Sequence, residues 1–252
     1  MPKLTSSKTQ TTSQAETTSE MQTSSQTSNL ILLGPPGAGK GTQALALAKN
    51  LGLRHISTGE LFRQHMQRET AFGVQARVYY DKGEYVPDHL VIAMVSEELA
   101  NLNSAKGMVL DGFPRTVAQA EALDATLAEI GRQIDVAIVL DSDTDQIVER
   151  AQGRRICPEG HTYHTVKNPP SVADRCDVDG LSLRQRVDDR PDTVRRRIDM
   201  YHTQTKPLLA FYAERQLLRS VDGSGPIRDV TGKIESVIDD VASIDNSSTQ
   251  MV

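Results

Sequence analysis

The sequence predicts a three-layer α/β domain with two insertions, and three observations carry that prediction. Short apolar runs of strand length recur at residues 29–33, 107–110 and 134–140. Segments with alanine and leucine at helical spacing follow the first run and separate the other two. Residues 57–86 and 153–189 interrupt that alternation. Apolar strands alternating with helices imply a parallel sheet covered on both faces.

Residues 1–28 are dominated by Ser, Thr and Gln, with almost no large apolar groups. Such a segment cannot bury enough surface to offset its ordering entropy, so a disordered tail is expected there and a folded domain over 29–252. At Asn29 the texture changes abruptly. Asn29-Leu30-Ile31-Leu32-Leu33 ends in glycine and proline, as a buried parallel strand does, and a helix is expected from Lys40 to about Leu51. Gly107-Met108-Val109-Leu110 is the second strand candidate and residues 134–140 the third. Between them, residues 116–130 read as a helix with Thr116 as N-cap and Gly131 just past the end. The stretch 57–86 is mostly helical in pattern. The stretch 153–189, with its glycines, prolines and both cysteines, reads as short strands and turns.

Bulk properties narrow the function classes. A formal net charge of −5 argues against a nucleic-acid footprint, although arginine concentrates between Arg150 and Arg197. An acidic protein with a local arginine cluster points to a small anionic ligand. Two cysteines, Cys157 and Cys176, are too few for a disulfide framework. No apolar run reaches the ~18 residues of a membrane span. The amino terminus lacks the apolar stretch of a secretory signal, and residues 1–28 contain no arginine, unlike a transit peptide. A cytoplasmic, monomeric enzyme is expected.

Gly34-Pro35-Pro36-Gly37-Ala38-Gly39-Lys40-Gly41-Thr42 fits the P-loop spacing G-x-x-x-x-G-K-[ST], except that Gly41 takes the Ser/Thr place and Thr42 follows it. Its glycines let successive backbone N–H groups wrap an anionic phosphate, and the helix after Lys40 points its positive dipole end there. Gly37, Ala38, Gly39, Lys40, Gly41 and Thr42 are therefore the expected triphosphate-binding residues.

With its displaced threonine, this loop resembles that of the nucleoside monophosphate kinase family, adenylate kinases of the long-lid type most closely. The resemblance covers nearly everything from Leu30 to about Ile238. It implies a P-loop NTPase-type parallel sheet, a helical NMP-binding insertion at 57–86, a small β-rich lid at 153–189, and transfer of a phosphoryl group from Mg²⁺-ATP to AMP giving two ADP. Ser57-Thr58-Gly59-Glu60-Leu61-Phe62-Arg63 and Asp111-Gly112-Phe113-Pro114-Arg115-Thr116 resemble the family's acceptor motifs. By that resemblance Arg63 and Arg115 grip the AMP phosphate, with Gly112, Phe113 and Pro114 beside them. Thr58 and Gln119 read the adenine edge, and Glu84, Tyr85 and Val86 line the base pocket. Asp111 holds Mg²⁺ through waters. Thr116, where pyrimidine-specific relatives typically have asparagine, together with the long insertion favours adenine as the acceptor base.

The resemblance also places Arg150, Arg154, Arg186 and Arg197 around the transferring phosphoryl group. Thr162 and Tyr163 cover the ATP base, with Gly225 nearby. Phosphoryl transfer needs such distributed cations, because charge spreads over the equatorial oxygens. The nucleophile is a phosphate oxygen already ionised at neutral pH, so Lys40, Asp111 and the arginines act by position and charge. GTP remains an alternative donor, since backbone contacts dominate around that base. Some family members fold the lid around zinc with paired C-x-x-C turns. Here Cys176-Asp177-Val178-Asp179 retains the second half, but Cys157 is followed by Pro158-Glu159-Gly160-His161, where only Glu159 or His161 could substitute at altered spacing. No metal is expected in this lid.

Overall fold

Period-two burial along the apolar runs builds the centre of the molecule. The computed structural model describes residues 28–102 and 106–249. In β1 (Ser28–Leu33), Ile31 and Leu33 face one side of the sheet and Leu30 and Leu32 the other. Met108 and Leu110 oppose Val109 in the same way in β3 (Gly107–Asp111). So do Ala137 and Val139 against Val136, Ile138 and Leu140 in β4 (Val136–Asp141). The parallel sheet runs β2-β3-β1-β4-β7, with β2 (Arg54–Ser57) and β7 (Leu218–Asp222) as its edges. One face is covered by α1 (Lys40–Leu51) and α9 (Ile227–Thr249), the other by α4 (Asp88–Ala100), α5 (Val117–Glu129) and α8 (Lys206–Glu214). That is the three-layer arrangement expected.

The edge strands had no clear sequence signal for a physical reason. An edge strand buries less, so only Ile56 in β2 and Val221 in β7 are fully buried. The third strand starts two residues later than its apolar run, because Asp135 turns in to give its N–H to the Asn29 carbonyl (3.0 Å) and accept from the Asn29 N–H (2.6 Å). The tail expected over 1–28 lies outside the described residues, save Ser28, which opens β1 with its N–H on the Lys106 carbonyl (3.1 Å).

Between β2 and α4 lies a helical pair, α2 (Thr58–Gln67) and α3 (Ala71–Tyr80). Phe62 stacks on Phe72 with centroids 5.8 Å apart, and the Thr70 hydroxyl caps α3 by accepting from the Gly73 N–H (3.1 Å). The second insertion follows α6 (Thr144–Gly153). It pairs β5 (Arg154–Ile156) with β6 (Thr162–His164) antiparallel and has its own small core of Cys157, Tyr163, Cys176 and Leu183. A 3₁₀ turn at Val187–Asp189 returns the chain to α7 (Pro191–Met200), and a π turn at Tyr201–Thr205 joins α7 to α8.

Gly73 sets the approach of α2 and α3, since a Cβ there would stand 2.2 Å from the His65 carbonyl oxygen, a backbone atom that cannot step aside. Gly73→Ala should cost about 1–3 kcal/mol by overpacking. Thermal denaturation should then show a melting point lower by roughly 2–10 °C.

Candidate active site

The loop after β1 follows from glycine conformation. Gly34, Gly37 and Gly39 have φ of 133°, 86° and 102°, values that L-residues seldom adopt, and they turn the backbone around the space in front of α1. Lys40 folds back over the loop, and its Nζ donates to the Gly34 and Pro35 carbonyls, both at 2.8 Å. Desolvation lowers its pKa to about 7; Asp111 opposes that shift, and nearby arginines add to it. β1 and β3 are neighbours in register, Leu32 opposite Asp111, so Asp111 arrives beside this loop. The Ser57 hydroxyl donates to Asp111 Oδ2 (3.1 Å), and His55 Nε2 stands 3.9 Å from the same oxygen. Burial opposes it, but the His55 imidazole and the Lys40 charge hold the Asp111 carboxyl below the usual range. Across the loop, a Cβ on Gly41 would press on Asp111 Oδ2 at 3.1 Å.

At the carboxyl ends of β2 and β3 opens a cleft. Thr58, Glu84, Tyr85, Val86, Gly112, Arg115, Gln119, Arg186 and Arg197 line it, which brings together most of the expected acceptor residues. Gly112, at φ 78°, lets Arg115 fold back so that Nε donates to the Gly112 carbonyl (2.8 Å), with the guanidinium 5.0 Å over the Tyr85 ring. Gln119 is held at both ends: Oε1 accepts from the Arg115 N–H (2.8 Å) and Nε2 donates to Asp88 (2.7 Å). The Thr58 hydroxyl donates to the Gly112 carbonyl (2.9 Å). A second hollow, lined by Gly34, Lys40, Pro114, Arg115 and Arg197, adjoins the first, and Tyr85 borders both.

Three of the arginines are fixed by two buried carboxylates. Arg186 gives Nε and Nη2 to Asp188 (2.9 and 2.6 Å), and Arg197 Nη1 donates to Asp188 Oδ2 (2.7 Å). Burial pushes against it, yet these guanidiniums hold the Asp188 carboxyl far below the usual carboxylate range. Arg154 makes a bidentate pair with Asp189, which is wholly buried. Arg150 bridges the phosphate loop to the turn after β7, donating to the Ala38 carbonyl (3.5 Å) and the Gly223 carbonyl (3.1 Å), two residues before Gly225. Arg63, on α2, donates Nη2 to Glu60 (2.6 Å) and Nη1 to the Tyr80 hydroxyl (3.4 Å).

Two side chains depart from their expected places. Phe113 is 1 % exposed and packs in the core, outside the lining of either cavity. Tyr163 is withdrawn into the second insertion, because that small unit needs an aromatic ring to fill its core. Its hydroxyl accepts from the Asp177 N–H (2.8 Å) and its ring packs with Cys157, Cys176 and Leu183, so its side chain is not presented to a base. Thr162 beside it is exposed. Sequence reasoning missed Asp188, Asp189 and Tyr80. The run Arg186-Val187-Asp188-Asp189 signalled only a segment boundary, although two acids beside arginines hinted at pairing.

The sequence argues against a metal from its short supply of good ligands, yet the fold brings four donors together. Gly160 takes φ 93°, and the turn closes with Cys157 N–H on the His161 carbonyl (3.1 Å). That brings His161 Nδ1 to 3.2 Å from Cys157 Sγ, 3.5 Å from Cys176 Sγ and 3.0 Å from Asp179 Oδ2. All four donor atoms lie within 4.8 Å of one another. Donors around a tetrahedral zinc stand roughly 3.3–3.8 Å apart, so this set fits one. Glu159 stays outside the cluster.

Comparison with known proteins gives the family. A family model described as "Adenylate kinase" matches residues 32–217. The adenylate kinase of Symbiobacterium thermophilum is 51% identical over 211 residues, covering 83% of this chain and 98% of that protein. Those of Bacillus subtilis and Exiguobacterium sibiricum are 48% and 47% identical, again over 83% of this chain and 97% and 98% of theirs. Identity at that level along the whole catalytic body, with the phosphate loop and the arginine-lined cleft both inside the matched span, places the chain in the adenylate kinase family.

Proposed function

We propose that Lys40, Asp111 and the arginines at 63, 115, 150, 154, 186 and 197 carry the family's reaction in this chain. That reaction is reversible transfer of the γ-phosphoryl group of ATP to AMP, giving two ADP. The observation that supports the assignment most is the adjacency of two cavities, one at the phosphate loop and one among the arginines, with Arg115 and Arg197 on both. Donor and acceptor phosphates would meet at that boundary. Two polyanions repel, and the four cationic side chains that line the two cavities, Lys40, Arg115, Arg186 and Arg197, offset that repulsion and stabilise the charge spread over the transferring group.

The donor triphosphate lies in the loop from Gly37 to Thr42, with Lys40 on its β- and γ-phosphates. Arg150 holds the loop against the turn near Gly225 that would flank the donor base. On the acceptor side, Arg63 and Arg115 take the AMP phosphate. Thr58, Gln119 and the backbone of Glu84, Tyr85, Val86, Gly112, Phe113 and Pro114 frame the base. The acceptor oxygen is already ionised, so no general base is required. Asp111 fits a magnesium role, being an ionised carboxylate at a strand end with few protein partners, and Mg²⁺ would supply charge neutralisation of the triphosphate there. The protein acts as a monomer on free nucleotides in the cytoplasm; no helix among the described residues is long and apolar enough to cross a membrane.

The Cys157, His161, Cys176 and Asp179 set would hold zinc in the second insertion, cross-linking its two turns in place of a larger apolar core.

Lys40→Met should lower kcat roughly a hundred- to thousandfold or more while leaving the melting point nearly unchanged. Because the free ammonium titrates at about 7, clamping a triphosphate should draw in a proton near neutral pH. Calorimetry of ATP binding should therefore give heats that depend on buffer ionisation in the parent protein and not in the Lys40→Met variant. Normal turnover in that variant would reject the assignment of Lys40.

Arg115→Ala should cost about 2–5 kcal/mol of transition-state stabilisation and weaken AMP binding far more than ATP binding. If ATP affinity fell while AMP affinity held, the two sites would be reversed.

Elemental analysis after purification without chelator should find about one equivalent of zinc per chain, and Cys176→Ser should lose it. Added chelator should lower the melting point of the zinc-loaded protein. Less than half an equivalent, with stability indifferent to chelator, would leave this segment held by hydrogen bonds alone.

A further inference from the structure

Tyr80 closes α3, where the sequence shows only the last residue of a helix. Its ring meets Phe62 edge-on, with centroids 6.3 Å apart and planes at 62°, so packing fixes where the hydroxyl points. That hydroxyl oxygen accepts from Arg63 Nη1 at 3.4 Å and from Arg186 Nη2 at 3.2 Å. The two arginines belong to different parts of the molecule: Arg63 to α2 in the first insertion, Arg186 to the end of the second. Asp188 then joins Arg186 to Arg197 on the core side. A continuous hydrogen-bonded path thus runs from the first insertion through Tyr80 to α7.

The chemistry of the bridging atom matters. A carboxylate here would hold the guanidiniums tightly, but it would cancel charge that an incoming phosphate needs and would repel the phosphate itself. A neutral hydroxyl positions two cations without adding to the negative charge that Glu60 and Asp188 already set against them. Among the described residues, Arg63 Nε and Arg186 Nη1 make no hydrogen bond, so each guanidinium retains a donor for an anion. Tyr80 also lines the same cleft as Arg115.

We propose that Tyr80 is a positioning residue for the acceptor phosphate. Its hydroxyl sets the spacing of Arg63 and Arg186 before AMP arrives, so that AMP binding does not have to order two long side chains. The inference rests on the assignment of this cleft to AMP. Tyr80→Phe removes only the acceptor and keeps the ring against Phe62. In calorimetric titrations the variant should bind AMP about fivefold to tenfold more weakly, the loss expected for one or two hydrogen bonds acting through other groups. ATP affinity should stay within twofold. In steady state, KM for AMP should rise by more than kcat falls, and the melting point should move by less than about 2 °C. The effect should shrink when Tyr80→Phe is made on an Arg186→Lys background, because the two residues act as one unit.

AMP affinity within twofold of the parent, tighter AMP binding, or equal weakening of both nucleotides would overturn the proposal. Tyr80→Leu lacks both hydroxyl and ring and should lose at least as much AMP affinity; parent-like AMP binding there would overturn it whatever the Phe variant does. Arg115→Ala run alongside separates the two levels. If Arg115→Ala weakens AMP binding and Tyr80→Phe does not, Tyr80 has no such role. If Arg115→Ala spares AMP, the cleft itself is misassigned.

Discussion

Crowding cations around one cleft is the constraint on which the rest of this structure depends. Burial disfavours the charge on Lys40 and Arg197, and the neighbouring guanidiniums add to it: Arg115, Arg197 and Arg154 act on Lys40, and Arg115 and Arg186 act on Arg197. Without a counter-charge such a ring would splay or lose protons. Asp188 supplies it. The carboxylate is 3 % exposed and would be costly to bury alone, but it accepts three hydrogen bonds from two guanidiniums at 2.6–2.9 Å. Its neighbour Asp189 does the same for Arg154. Consecutive residues of one 3₁₀ turn therefore address different arginines, and Pro191 at the start of α7 fixes the chain as it leaves that turn.

The location of these pairs has consequences for motion. Arg154 opens the second insertion and Asp189 closes it, so their ion pair lies at its base rather than within it. Above that base the insertion has its own core and its own convergent donor set; the helical insertion likewise has the Phe62–Phe72 stack. Each therefore holds its internal contacts independently of the attachments at its ends. An enzyme that must exclude water from a reactive phosphoryl group and still release product needs that separation of internal rigidity from mobile attachment. Arg63 and Arg186 sit where the two insertions meet, through the Tyr80 hydroxyl, and under the proposed assignment phosphate binding would draw on those same contacts.

The three central strands, the phosphate loop and the two acceptor motifs were legible because each is a local pattern. A glycine–lysine spacing or an apolar run carries its meaning within a few residues. What the sequence hid is relational. Asp188 and Asp189 look like any acidic pair until the fold brings Arg197 and Arg154 to them. Tyr80 looks like a helix end until Arg63 and Arg186 converge on its hydroxyl. β2 and β7 escaped notice because edge strands bury too little to show an apolar run. The donor cluster is relational too. Along the chain, the short supply of thiolates and imidazoles argues against zinc; the left-handed conformation of Gly160 folds His161 back toward Cys157, and four donors converge.

The displaced threonine of the phosphate loop shows the same point in a single residue. The usual spacing would put Ser or Thr at 41, yet Gly41 stands there and Thr42 follows. β1 and β3 are adjacent, which places the carboxylate of Asp111 against the start of α1; a Cβ on residue 41 would meet Oδ2 at 3.1 Å. A larger side chain would shift by a few tenths of an ångström the Asp111 carboxylate, whose charge opposes the loss of the Lys40 proton. Glycine at 41 is therefore tied to aspartate at 111, seventy residues away, through the strand order alone. The departure from the motif reports a close approach that the motif itself does not describe.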